Sequence, residues 1–169
     1  MSTDMLFDPF FAWIESTALN AWIVSSPSLF AFPGILAAHT IGLALLAGVN
    51  GALDLRLLGF ARAIPPATFL RLLPVMRAGF WLNVASGIAL LIGYPTKAFT
   101  NPVFYLKLGF VAAAMIVMQS ILRRAEAGGD APGTRALAVV SLLLWASAIT
   151  AGRLLAYTCT RLTVSLRCT

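Results

Sequence analysis

His39 is the single histidine of the chain, and its surroundings decide what chemistry it can do. It lies inside Leu29 to Asn50, a run with no charged residue. A neutral imidazole carries one N–H and one lone pair, which suits it to hold iron, to accept a proton or to tie two helices together. Asn50 follows eleven residues later and Asp54 four after that. At about 3.6 residues per turn the three share nearly one helix face, with Leu43 and Leu46 on the stripe between them. Arg56 stands two residues beyond Asp54, and the pair reads as an ion pair closing the helix end. Lys107, Arg153 and Tyr157 are the other groups whose type could serve a buried site.

Composition says what must position them. Hydrophobic residues make up 60% of the chain and charged ones 11%, against about 25% charge in soluble domains. With a mean hydropathy of +0.89, the chain reads as an integral membrane protein whose partner is the lipid bilayer. The net charge of +6 does not point to nucleic acid, because the basic residues sit singly between apolar runs and form no patch. The fold expected is all-α, a four-helix transmembrane bundle forming one domain over residues 1–169. Spans are expected at about 29–50, 77–94, 103–122 and 136–157, each long enough for a hydrocarbon core of roughly 30 Å. An amphipathic interfacial helix at about 9–25 precedes them, its tryptophans Trp13 and Trp22 at headgroup depth. That segment opens with acidic residues and has no small-residue cleavage site, so it is expected to stay on the protein.

Between the spans, Pro65-Pro66 is expected to start a half-buried helix that Pro74 interrupts, and Asn101-Pro102 to cap and start the third span. Gly79, Asn83 and Gly87 recur every four residues and offer a flat strip for close helix approach. Arg56, Arg62, Arg71 and Arg77 mark one side of the bundle together with Arg123, Arg124 and Arg135. Lys97, Arg161 and Arg167 mark the other, so the positive-inside rule places both termini outside a bacterial inner membrane. Cys159 and Cys168 either pair, which requires that side to be outside the cytoplasm, or remain two idle thiols.

With this topology His39, Lys107 and Arg153 come from three different spans into one outer layer. Tyr157 stands one turn beyond Arg153, and Glu15 is in reach from the interfacial helix. These residues are the candidate pocket. Each has a plainer reading: His39 bonded to a backbone carbonyl or to Asn83 across a helix pair, and Lys107 and Arg153 snorkelling to headgroups. Met115 and Met118 read as packing.

His39 with Gly42 and Gly48, ALDLRLLG at 52–59, a proline at 74, NPVFYLKL at 101–108 and WASAITAGRLLAY at 145–157 together resemble a bacterial family of small four-helix membrane proteins, a domain of unknown function. Members of that family carry an acidic residue a few positions before the histidine, where this chain has Gly34 to Ala38. More distantly, the histidine on the first helix, the Leu-Arg pair at its exit and the lysine opening the third resemble membrane-bound, haem-containing protoporphyrinogen oxidase and the copper-resistance D proteins. The oxidase has a further histidine on its third helix, where this chain reads Met118-Gln119-Ser120. That resemblance implies haem b with His39 as its metal-binding axial ligand and Lys107 and Arg153 pairing the propionates. One axial histidine leaves the iron five-coordinate, Met-ligated or completed by a second copy, in a homodimer or a larger membrane complex. The other expectations are a structural or accessory protein whose polar residues tie helices, and a small proton-coupled transporter with His39 as relay.

Overall fold

The computed structural model describes residues 7–126 and 132–168. They form α1 (Asp8–Glu15), α2 (Ala18–Ser25), α3 (Phe32–Leu58), α4 (Leu73–Gly93), α5 (Pro95–Phe99), α6 (Pro102–Glu126) and α7 (Thr134–Tyr157), with a 3₁₀ helix over Pro66–Leu72 leading into α4. Among the described residues there is no strand, only an isolated bridge between Arg161 and Arg167. α3, the 3₁₀ helix with α4, α6 and α7 are each long and apolar enough to cross a bilayer. The protein is therefore an all-α, multi-pass membrane bundle. Part of the charged loop between α6 and α7, and the acidic first residues, lie outside the described residues.

Three boundaries differ from the expectation, each for a local reason. The segment at 9–25 is two helices, because Ser16 and Thr17 offer the backbone other partners. The Thr17 hydroxyl donates to the carbonyl of Ile14 at 2.7 Å and accepts the N–H of Asn20 at 3.2 Å, ending α1 and capping α2. The first span does not stop at Asn50: Leu53 and Leu57 continue its apolar stripe, and the helix runs to Leu58, where Gly59 at φ 110° supplies the left-handed C-cap. Pro74 does not break a helix but lies in the first turn of α4, which begins at Leu73. Asn101 behaves as expected, its Oδ1 accepting the N–H of Val103 at 3.0 Å.

Two apolar clusters fill the bundle. Leu46, Met76, Ala114, Met118 and Trp145 meet at mid-height. Leu53, Leu57, Ile121, Ala125 and Ala138 meet toward the end that carries Arg56 and Arg124. Met118 thus packs, as its spacing suggests. α3 and α4 cross backbone to backbone: a Cβ on Gly42 would lie 2.6 Å from the amide nitrogen of Asn83, and one on Gly79 would lie 2.7 Å from Leu45 Cβ. The small-residue strip read from the sequence is the crossing itself.

The other end is tied by polar bonds. Asn20 donates to the carbonyls of Ile92 and Gly93 at 2.7 and 3.0 Å, docking α2 on the end of α4. Asn101 reaches the carbonyl of Thr158 at 3.0 Å, and Lys97 that of Ala156 at 3.2 Å. The tail after α7 folds back through a Cys159–Cys168 disulfide and an Arg161–Asp8 ion pair at 2.9 Å.

Gly42→Leu is expected to lower stability by at least about 2 kcal/mol, since its side chain has only backbone to displace. Gly48→Leu, whose Cβ would meet nothing within 4 Å, is expected to be neutral. Thermal unfolding of both variants in one detergent measures the difference.

Candidate functional site

The crossing at Gly42 sets where His39 points. One turn before Gly42, its ring turns toward α4, where Nδ1 lies 3.1 Å from the carbonyl oxygen of Asn83 and 3.2 Å from Ser86 Oγ. A carbonyl can only accept, so Nδ1 carries the proton. Ser86 gives its own hydroxyl hydrogen to Leu82 O at 2.6 Å, which leaves a lone pair toward the imidazole. Asn83 answers from the other side, its Nδ2 donating to the backbone carbonyl of His39 at 2.8 Å. Gly87 completes the seat: a Cβ there would stand 3.2 Å from His39 Cε1. In a neutral ring so held, Nε2 bears the free lone pair.

Lys107 lies five residues into α6 and His39 seven into α3, two helices that start at the same end of the bundle. Lys107 is half-buried, with its terminal methylenes and Nζ along Gly152 of α7, 3.6 to 3.8 Å from where a Cβ would be. Neither apolar cluster reaches this level. Polar and small groups meet here, His39 and Ser86 with Gly87 and Lys107 with Gly152, beside the buried Ala148 and Ala151 of α7.

The remaining members of the expected pocket are elsewhere. Gly152 faces Lys107, so Arg153, rotated about 100° onward, is exposed. Tyr157, one turn further on that face, is 79% exposed. Both belong to the outer surface of α7. Glu15 does not reach the layer either, because it is captured at the rim: Oε1 accepts the Thr96 hydroxyl at 2.5 Å and Oε2 the N–H of Val164 at 3.3 Å.

At the opposite end of α3, Asn50 and Asp54 are fully buried, and Asn50 Nδ2 donates to Asp54 Oδ2 and to Ser141 Oγ, both at 2.8 Å. The expected Asp54–Arg56 pair is not formed. Two residues along a helix point about 200° apart, and the Arg56 guanidinium leaves for the connection, bonding the carbonyl of Ile64 and that of Arg62 at 2.9 Å. Ser141 was not singled out from the sequence. Its one signal is a hydroxyl in the apolar run of α7, four residues before the buried Trp145.

No family model, curated protein or solved structure matches the chain. The functional reading therefore rests on the geometry of these two polar sites. Among the described residues no three His, Cys, Asp or Glu side chains converge as a metal-binding group.

Asn83→Ala is expected to cost about 1 kcal/mol by deleting one interhelical bond in the membrane. Arg153→Gln is expected to stay within about 0.5 kcal/mol. Unfolding midpoints of the two variants separate the residue inside the layer from the one outside it.

Proposed function

We propose that this protein is a haem b-binding accessory subunit of a bacterial cell membrane, with His39 Nε2 as axial ligand and Lys107 as the cation for a propionate. The observation that carries the reading is the bond from His39 Nδ1 to the Asn83 carbonyl. Ligand histidines are held in this way, their second nitrogen donating to a backbone carbonyl or carboxylate so that the ring and its lone pair are fixed.

The donor set fits the group in type. An imidazole suits iron, and an ammonium suits a propionate in low dielectric. The α3–α4 crossing is closed at Gly42 and Gly79, so no group enters between those two backbones. Met118 is buried in the mid-height cluster, so His39 is the residue of this chain that would hold the iron. Bound haem would supply one-electron chemistry. Exposed Arg153 does not contribute to this assignment.

Both termini face the outside of the membrane in this reading. The arginines at 56, 62, 71, 77, 123, 124 and 135 gather at one end of the bundle. The disulfide lies at the other, where an oxidising compartment keeps it.

A structural role is the second reading, favoured by the paired His39–Asn83 bonds that clasp α3 to α4. Absorbance of the protein purified from cells fed a haem precursor separates the two. Haem binding predicts a Soret band that His39→Ala abolishes while the variant stays monodisperse, and that Lys107→Met retains with weakened haem affinity. A wild-type protein without the band, destabilised by His39→Ala, leaves the structural role. For the topology, a membrane-impermeant maleimide is expected to label Cys159 and Cys168 on intact spheroplasts only after reduction. Labelling confined to permeabilised cells would reverse the orientation.

A further inference from the structure

The Asp54 site has an unusual set of unfilled bonds. Asn50 Nδ2 is fully used, on Asp54 Oδ2 and Ser141 Oγ. Asn50 Oδ1, Asp54 Oδ1 and Trp145 Nε1 are buried without a partner. Two of these three atoms are acceptors on neighbouring side chains one helical turn apart, and an acceptor cannot satisfy an acceptor.

Nor does a cation answer the carboxylate. On α3, Arg56 is spent on the carbonyls of Arg62 and Ile64. On α6, Arg124 bonds the carbonyl of Pro132 and the hydroxyl of Thr134, and Arg123 is exposed. Arg71 and Arg77, before and in α4, and Arg135 in α7 are exposed. What packs around this part of α3 is Leu53, Leu57, Ile121, Ala125 and Ala138, with Phe69 and Leu70 from the 3₁₀ helix. The described ion pair of the protein is the distant Arg161–Asp8. An unpaired carboxylate in such surroundings costs several kcal/mol or more.

We propose that Asn50, Asp54 and Ser141 form a proton-binding site, in which Asp54 takes up and releases one proton at the Arg56 end of the bundle. The proton comes from water and returns to it. On Asp54 Oδ1 it removes the charge and turns one of the two unpaired acceptors into a donor for the other, Asn50 Oδ1. The acid and the amide then exchange one bond in each direction, N–H to Oδ2 and O–H to Oδ1, while Ser141 holds the amide in place. The site lies fifteen residues from His39 along α3, about 22 Å, and does not depend on a cofactor at His39.

Isotope-edited infrared spectroscopy tests this on the full-length protein in liposomes, with ¹³C in the aspartate carboxyls. The expected result is a protonated-carboxyl band at neutral pH that is absent from Asp54→Asn, fades reversibly as the pH is raised, and is the same with and without haem precursor during expression. An ionised Asp54 at neutral pH overturns the proposal, and one ionised only when sodium is present marks a metal-cation site instead. A band that ignores pH overturns the exchange. If Asp54→Asn does not fold, Ser141→Ala keeps the carboxyl and should shift the band; an unshifted band would detach Asp54 from the cluster.

Discussion

The backbone contact of α3 with α4 at Gly42 and Gly79 governs where the polar residues of α3 point. In lipid there is little hydrophobic gain in bringing two apolar helices together, so close packing and interhelical bonds must hold them. Removing two side chains lets the backbones touch, and the touch fixes the rotation of α3 about its axis. With Gly42 on α4, His39 has one place to go, the Asn83 carbonyl and Ser86 hydroxyl one turn away. The same rotation sends Asn50 and Asp54 toward α7, where Ser141 receives the amide. One steric fact therefore aims both ends of the helix.

This explains what could be read from the amino-acid sequence and what could not. The spans were legible because length and hydropathy are properties of a segment alone. The glycine strip was legible because a repeat of four is a helix face, and so was the shared face of His39, Asn50 and Asp54. Helix ends were less so: the hydroxyls that split the segment at Ser16 and Thr17 act through single bonds, and the extension to Leu58 follows from burial of Leu53 and Leu57. Of the expected layer, His39 and Lys107 are turned partly inward while Arg153 and Tyr157 are on the surface, because depth along a helix can be counted but its rotation relative to neighbours cannot. Gly152 faces Lys107, and that alone turns Arg153 out. Ser141 is hard to read because a hydroxyl in an apolar run, its one signal, does not say which partner it meets across the helix pair.

The polar bonds at the rim have a different purpose from those inside. Asn20, Glu15, Asn101 and Lys97 connect α1, α2 and α5 to the ends of α4, α6 and α7 or to the tail, mostly through backbone carbonyls that helix ends leave free. The disulfide and the Asp8–Arg161 pair then hold the tail against α1. Short helices that would fray alone are thereby fastened over the His39 end, where Phe11 stacks on Phe99 at 5.5 Å while Trp13 of the same helix stays exposed. The cap closes that end of the bundle over buried apolar residues of its own, Phe11, Ile23, Ala31, Ala98 and Phe104.

That contrast bears on whether the two polar sites can act as one. A proton relay along α3 would need a chain of hydrogen-bonding groups between His39 and Asp54. Between them lie Leu46, Met76, Ala114, Met118 and Trp145, packed at mid-height, and the stripe of α3 that faces inward there is Gly42, Leu43 and Leu46. Trp145 Nε1 is the lone polar atom of that cluster, and it is a donor without a partner. A donor cannot receive a proton in a relay, so the cluster separates the sites electrically while joining them mechanically. Any influence of one on the other has to pass through a shift of α3 against the closed crossing at Gly42, and a backbone contact of 2.6 Å for an added Cβ leaves that helix little freedom to move. The arrangement is that of two separate polar sites on one helix, His39 with its α4 partners at one end and Asp54 with Asn50 and Ser141 at the other.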